Sequence, residues 1–300
     1  MNITLKQLQV FICITQEKTI TAAAKKLFMS KPAVSMALAE LEKQLNYKLF
    51  ERKHSRLILN EWGKQLLPLA DEQLEHSKNI SRLFEQQTTS DVTLRIGSSN
   101  TIGNHITPFL IADFRKKTQL VNQSLQIDNS STICEHIKEY EIDIALIEGY
   151  NFDNQLMLTR WLQDEMLVLC NSDHPLTQKE NINWQDLENQ EWILRESGSG
   201  TREFFLKNIG EKLTNYHITL ELNTTEAIIN STTAGLGITC ISKLAARHAL
   251  KDQRLMQLNL APEMQLDMSR NYWLVCHKDR YQGLLLQQFI QFTLNWHLPF

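Results

Sequence analysis

Cysteine is scarce and scattered in this 300-residue chain: five residues, at 13, 134, 170, 240 and 276, with no C-x-x-C among them. An odd, dispersed set builds neither a disulfide framework nor a zinc knuckle. It reads as reduced thiols, and the expected compartment is the cytoplasm. The nine histidines show no H-E-x-x-H or similar ligand spacing, and no nucleophile, base and acid stand together. Neither a metal, a cofactor nor an enzyme active site is therefore expected. Ten Gly and six Pro are too few for a collagen-like or Pro/Gly-rich disordered chain. Apolar runs such as 167–170 and 284–286 fall far short of the roughly 20 residues of a membrane span. Residues 1–16 carry Lys6 and several Gln where a signal peptide would be apolar, so no membrane partner is expected.

What is present begins with charge. Residues 1–60 hold ten Lys/Arg against four acids, a net +6, while the whole chain stands at −3. A basic end on an acidic body is the footprint of a nucleic-acid-binding module joined to something else, a solvated basic face being the bland reading. Leu5, Leu8, Phe11, Ile12 and Thr15 recur at helical spacing and predict an amphipathic helix over 4–17. Thr19 is placed to cap a short second helix over 21–27, rich in alanine, and Ser30 a third with Pro32 in its first turn. Val34, Leu38, Leu41 and Leu45 mark the buried stripe of that helix, while Lys31, Pro32, Ser35, Met36 and Ala39 face away. Two short helices joined by a tight turn follow helix-turn-helix logic, in which the second enters the DNA major groove. Lys reaches a guanine edge or a phosphate, Ser either, and Met or Ala a thymine methyl.

Residues 48–60 read as two extended runs around a basic tip. They form a β-hairpin wing from which Arg52, Lys53 and Arg56 reach the DNA backbone or minor groove. Asn60 caps a long helix from 61 to about 87, which Pro68 would bend. Leu67, Leu74 and Ser81, with Ala70, Ser77 and Phe84, give it a seven-residue seam, and an ordinary helix packed on its own body is the alternative. Residues 88–91 are a polar hinge.

These residues carry a resemblance. The succession Leu5, Leu8, Phe11; Thr21, Ala23, Ala24, Leu27, Ser30, Pro32, Ala33, Ser35; Leu41, Glu42, Leu45; then 49–52 is similar to the winged helix-turn-helix of LysR-type transcriptional regulators. Lys31 stands where the family often has Gln, Met36 where Arg is frequent, and Asn46 where Gly usually ends the helix; Asn tolerates that left-handed cap. The resemblance implies a linker helix that pairs with its twin, setting two reading heads on a pseudo-palindromic site in double-stranded DNA. It implies a homodimer or homotetramer, and RNA polymerase as a further partner.

From residue 92 the texture changes to strand–helix alternation. Strands are predicted at 92–97, 124–128 and 142–148 with helices at 101–117 and 133–139, a βαβαβ unit with a parallel sheet. A second unit follows, with strands at 166–170, 192–195, 219–222 and 238–241 and helices at 201–213 and 225–234. Residues 268–277 return to the first sheet before a closing helix at 283–296. The expected architecture is thus α/β behind an all-α winged helix-turn-helix. Its parts are a reading head at 1–60, a linker helix at 61–88 and a bilobal domain at 92–300, with lobe I at 92–161 and 268–300 and lobe II at 162–267. Two such lobes with a double crossover resemble the periplasmic-binding-protein-like (type 2) effector domain of the same family.

In open α/β sheets ligands sit where strand ends meet helix starts. Four such junctions here, at 97–101, 129–132, 196–201 and 223–226, are rich in Ser, Thr, Asn and Gly. Helix N-termini with hydroxyls and glycines suit a small anion, while plain N-capping explains Ser/Thr at any single start. Arg195 and Arg202 either add charge at the cleft or pair with Glu196 and Glu203. The stretch 195–203 (R-E-S-G-S-G-T-R-E), with S-N-T-I-G-N at 99–104, I-E-G at 147–149 and T-E-A-I at 225–228, resembles the sulfite-responsive subgroup. Carried over position by position, that resemblance implies a sulfur oxyanion held by Ser99, Thr101, Ser199 and Thr201, beside Gly200. Asn100, Glu148 and Thr225 join them from their place at strand ends. The Glu148 carboxylate would repel an anion unless it is protonated or turned away, or unless the ligand carries an amine. A small carboxylate effector and a solute-binding module remain as alternatives.

Overall fold

The computed structural model describes residues 2–84, 93–119, 122–149 and 153–299; the expected hinge at 88–91 and the start of the strand at 92 lie outside them. Helix α1 (Leu5–Glu17) opens on a capping box in which Thr4 and Gln7 exchange bonds. Thr19 and Ser30 cap α2 (Ile20–Lys26) and α3 (Lys31–Leu45), and Asn46 ends α3 in the left-handed region at φ 59°. Strands β1 (Phe50–Lys53) and β2 (Arg56–Leu59) pair antiparallel. Their two-residue turn, His54–Ser55, has both φ values positive, as a primed hairpin turn demands. Val10, Phe11, Ile14, Val34 and Leu41 form the fully buried centre of this head.

Helix α4 (Glu61–Phe84) runs on through Pro68. Its expected pairing seam is corrected by the packing. Leu67 and Ala70 are buried, at 4% and 1% exposure, in the head's own core. The apolar residues left open on α4 are Trp62, Leu69 and Ile80. With half-buried Leu66 and the polar Gln73 and His76, they continue a second heptad stripe. Periodicity exposes both stripes of such a helix, and only the position of α1 decides which one is covered. Ser81 and Phe84 lie beyond the described side chains.

Lobe I begins with β3 (Leu94–Ser99), α5 (Asn100–His105), α6 (Thr107–Thr118), β4 (Gln123–Asp128), α7 (Ser130–Lys138) and β5 (Ile144–Glu148). β3 lies between β4 and β5, parallel to both. The single helix expected over 101–117 is two, broken at Ile106, because Pro108 in the first turn of α6 has no N–H to give. The 16-residue β6 (Leu156–Asn171) serves both lobes: it pairs with β11 (Ser269–His277) up to Glu165, and with β9 (Thr239–Ser242) from Met166. Lobe II is completed by α8 (Trp184–Leu187), β7 (Glu191–Arg195), α9 (Gly200–Asn208), β8 (His217–Leu222), α10 (Thr225–Thr233), α11 (Lys243–Lys251) and β10 (Leu255–Gln257). Helix α12 (Leu284–Leu294) closes the chain against α6, with Phe114 edge-on to Phe289. Each lobe has its own apolar core, so the two strands β6 and β11 hinge two separately packed bodies.

Candidate functional site

On the head, every residue assigned to DNA from the sequence is exposed: Lys31, Pro32, Ser35 and Met36 on one face of α3, and Arg52, Lys53 and Arg56 on the hairpin. Val34, Leu38 and Leu41 anchor the opposite face of α3. Glutamates pair with Lys26, Lys43 and Lys48, whereas Lys31, Arg52, Lys53 and Arg56 have no ion pair among the described residues. Unpaired cations flanking a projecting helix leave the phosphate-binding charge free.

The second site is interlobe. Ser99 and Thr101 stand where β3 enters α5, Glu148 ends β5, and Ser199, Gly200 and Thr201 open α9. All six are buried. Three of their hydroxyls converge on one carboxylate. Ser99 Oγ donates to Glu148 Oε2 at 2.6 Å, and Thr101 and Thr201 donate to Oε1 at 3.2 and 3.4 Å. Gly200 is required for this approach: a Cβ there would lie 2.3 Å from the Glu148 carbonyl oxygen. Thr225 Oγ1 donates to Asn100 Oδ1 at 3.2 Å, tying the lobes at the rim.

The four junctions divide in two. Asn129 and Thr224 spend their side chains as ordinary caps of α7 and α10. Ser99 and Ser199 make no cap bond to their helices. Ser99 is committed to Glu148, while Ser199 Oγ is buried without a hydrogen-bond partner among the described residues. A buried hydroxyl left open is uncommon.

Sequence reasoning missed Arg270 and Asp164, which lie on the hinge strands β11 and β6. Arg270 Nε donates to Asp164 Oδ2 at 2.8 Å, and its Nη1 and Nη2 reach the hydroxyls of Thr201 and Thr101 at 3.0 and 3.5 Å. Burial works against the guanidinium charge, but Glu148 and Asp164 outweigh it and hold Arg270 more firmly protonated than usual. The available signal was a lone charged residue on a strand otherwise free of Asp, Glu, Lys and Arg. Arg195 pairs with Glu196 at 2.8 Å and keeps Nη1 unbonded, while Arg202 pairs with Glu221 instead of Glu203. The five cysteines are all buried and none is in a disulfide, and burial pushes Cys170 up to about 11 and Cys240 and Cys276 up to about 12, away from thiolate chemistry. Among the described residues no group of His, Cys, Asp and Glu is able to hold a metal and no helix is long and apolar enough to cross a membrane.

Comparison with known proteins covers both sites. Residues 5–64 match the bacterial regulatory helix-turn-helix protein, lysR family, and residues 88–297 match the LysR substrate binding domain. The chain is 33% identical over its whole length, and that of its relative, to the uncharacterized HTH-type transcriptional regulator YeiE of Escherichia coli K12. It is 28% identical to the HTH-type transcriptional regulator CysL of Bacillus subtilis over 93% of this chain and 98% of that one. A full-length OxyR from Pseudomonas aeruginosa shares the fold at TM-score 0.74 and 19% identity, covering 98% and 95% of the two chains. The effector binding domain of QuiR in complex with shikimate does so at TM-score 0.61 and 19% identity, covering 68% of this chain and 95% of that one.

Proposed function

The chain belongs to the LysR family of bacterial transcriptional regulators, and from that membership we propose that its bilobal domain senses a small sulfur oxyanion, sulfite or sulfate. It is a DNA-binding regulator with an effector domain and not an enzyme. The observation that carries the effector reading is the convergence of three hydroxyls on the Glu148 carboxylate, two of them bonded in turn to the buried Arg270, with Ser199 left open beside them. These donors already solvate one oxyanionic group in a water-poor site. A second small oxyanion is accommodated when Glu148 accepts a hydrogen bond from it. An oxyanion that carries its own proton, as bisulfite does, satisfies that demand, whereas the sulfate dianion is repelled while Glu148 is ionised, so sulfite is the favoured member of the pair. Ser99, Asn100, Thr101, Ser199, Gly200, Thr201 and Thr225 complete the shell. A small carboxylate is the second reading, favoured by the planar carboxylate of Glu148 that the same donors already hold.

On the DNA side, Lys31, Pro32, Ser35 and Met36 read base edges and Arg52, Lys53 and Arg56 contact phosphates of a pseudo-palindromic duplex. The open Trp62–Leu69–Ile80 stripe of α4 supports pairing with a second copy, dimer pairs forming a tetramer, with RNA polymerase as the downstream partner. The division into 1–60, 61–88 and 92–300 is the working domain frame.

A thermal-shift panel of sulfite, sulfate, thiosulfate, phosphate and small carboxylates tests the effector. A ligand at 100 times its Kd stabilises by about 2.7 kcal/mol, so sulfite is expected to raise the melting temperature measurably. The double change Ser99→Ala with Thr201→Val abolishes that shift and leaves effector-free DNA affinity intact. A shift with carboxylates and none with sulfur oxyanions overturns the assignment.

A further inference from the structure

Helix α7 joins the interlobe site to the reading head. Its N-terminal end lies in the cleft: Ser130 Oγ donates to the Glu148 carbonyl at 2.7 Å, and the Ser131 N–H donates to Gly198 O of lobe II at 3.1 Å. The loop presses close there, since a Cβ on Gly198 would lie 3.1 Å from Ser131 Cβ and 3.2 Å from Asn129 Oδ1. Its C-terminal end leads into the turn at Glu139–Tyr140. Tyr140 is 1% exposed and belongs to the apolar core of the head, not that of its own lobe. Its backbone is held in the left-handed region at φ 60°, a conformation that a tyrosine adopts only where the surroundings impose it.

The head grips this turn at several points. Gln16 Nε2 of α1 donates to the Tyr140 carbonyl at 3.0 Å, and Lys18 pairs with Glu139 at 2.6 Å. The Arg280 guanidinium lies 5.1 Å from the Tyr140 ring centre and pairs with Asp71 of α4 at 3.2 Å and Asp143 at 2.7 Å. Between the two ends α7 spans nine residues, about 13 Å. Its Ile133, Cys134 and Ile137 are fully buried against lobe I, so it transmits a displacement without flexing.

We propose that α7 is the mechanical link of this regulator: movement of the Gly198 loop on lobe II is passed through α7 to Tyr140, which shifts the reading head. Tyr140 acts as a positioning residue, touching neither effector nor DNA. The link rests on the interlobe effector reading, and its test separates the two.

The test uses full-length protein, a duplex that it binds, and sulfite as the probe. In the parent, sulfite changes DNA affinity, and by reciprocity DNA changes sulfite affinity by the same factor. In Tyr140→Ala with Gln16→Leu, sulfite still binds but that factor falls to one. Tyr140→Phe keeps the ring packed and retains the coupling, which separates lost transmission from a damaged fold. Sulfite coupling that persists in the double variant overturns the link. A second arm needs no effector. Gly198→Ala must displace Ser131 or Asn129, and hydrogen exchange is read at the amides of Glu141, bonded to His136 O, and Lys18, bonded to Ile14 O. Exchange at both amides quickens in the parent background, and the Lys18 response vanishes in the Tyr140→Ala background. An unchanged Lys18 amide in the parent overturns the link. Should sulfite fail to bind, the effector reading falls and the Gly198→Ala arm alone decides the link.

Discussion

Burying Arg270 between the hinge strands strips its guanidinium of water, and Asp164, two threonine hydroxyls, the Tyr272 ring and the nearby charge of Glu148 replace that water. Removing one partner from a buried ion pair leaves an uncompensated charge and costs about 3–5 kcal/mol. Arg270→Met is expected to lose that much in urea denaturation, and adding Asp164→Leu to recover part of it. His277 supplies a pH dependence. Burial holds it below its ordinary value of 6.5, and its Nδ1 accepts the Asp279 N–H at 3.1 Å, which requires the neutral ring. The unfolded chain therefore binds the extra proton, so this contribution is complete above pH 6.5 and is lost as pH falls from there through the depressed folded value. Burial moves His105 and His174 in the same direction. His277→Gln is accordingly expected to flatten part, not all, of the fall in melting temperature between about pH 7.5 and about 5.5. An unchanged slope counts against His277 as a contributor.

At the scale of elements, the hairpin β1–β2 and helix α4 each present a face whose purpose is testable. A phosphate contact contributes about 0.9 to the slope of log affinity against log salt. Replacing Arg52, Lys53 and Arg56 together by Ala is expected to reduce that slope by roughly 2–3 per reading head in fluorescence anisotropy, with the preferred sequence unchanged. Met36→Ala should instead alter sequence preference at one position. On α4 the two stripes separate cleanly. Leu67→Ala removes core packing and costs about 2–5 kcal/mol. Leu69→Glu with Ile80→Glu, on the open stripe, is expected to dissociate the oligomer in sedimentation while each subunit stays folded.

At the scale of the whole molecule, head and body meet through buried groups. Arg280 is 3% exposed in its side chain and holds Asp71, from α4, against Asp143, from lobe I. Burial raises Asp71 above the usual carboxylate range in spite of Arg280, whereas the two arginines beside Asp143 overcome its burial and hold it low. Asp143 therefore stays charged where Asp71 yields first. Calorimetry of the parent is expected to show head and lobe I melting together, and Arg280→Met to split that transition in two. A single unshifted transition in the variant would argue that the contact carries no cooperativity.

Local chemistry was sufficient for much of this. Thr19 and Ser30 cap the helices they were expected to cap, Asn46 adopts the left-handed turn, and the basic tip forms a hairpin, because each depends on neighbours within a few residues. The order of most strands and helices in the body was legible for the same reason; the break at Pro108, the single strand that runs through both lobes, and the elements α8, α11 and β10 were not. What the chain alone left open was every choice between two equally good local patterns. Which stripe of α4 is covered depends on where α1 lies. Whether Ser99 caps its helix or turns to Glu148, 49 residues away, depends on the approach of β5. The partners of Arg270 lie 69 to 169 residues distant, and Tyr140 enters a core built from the other end of the chain. Capping and periodicity are short-range and written in sequence; the pairing of buried charges is long-range and was decided by packing.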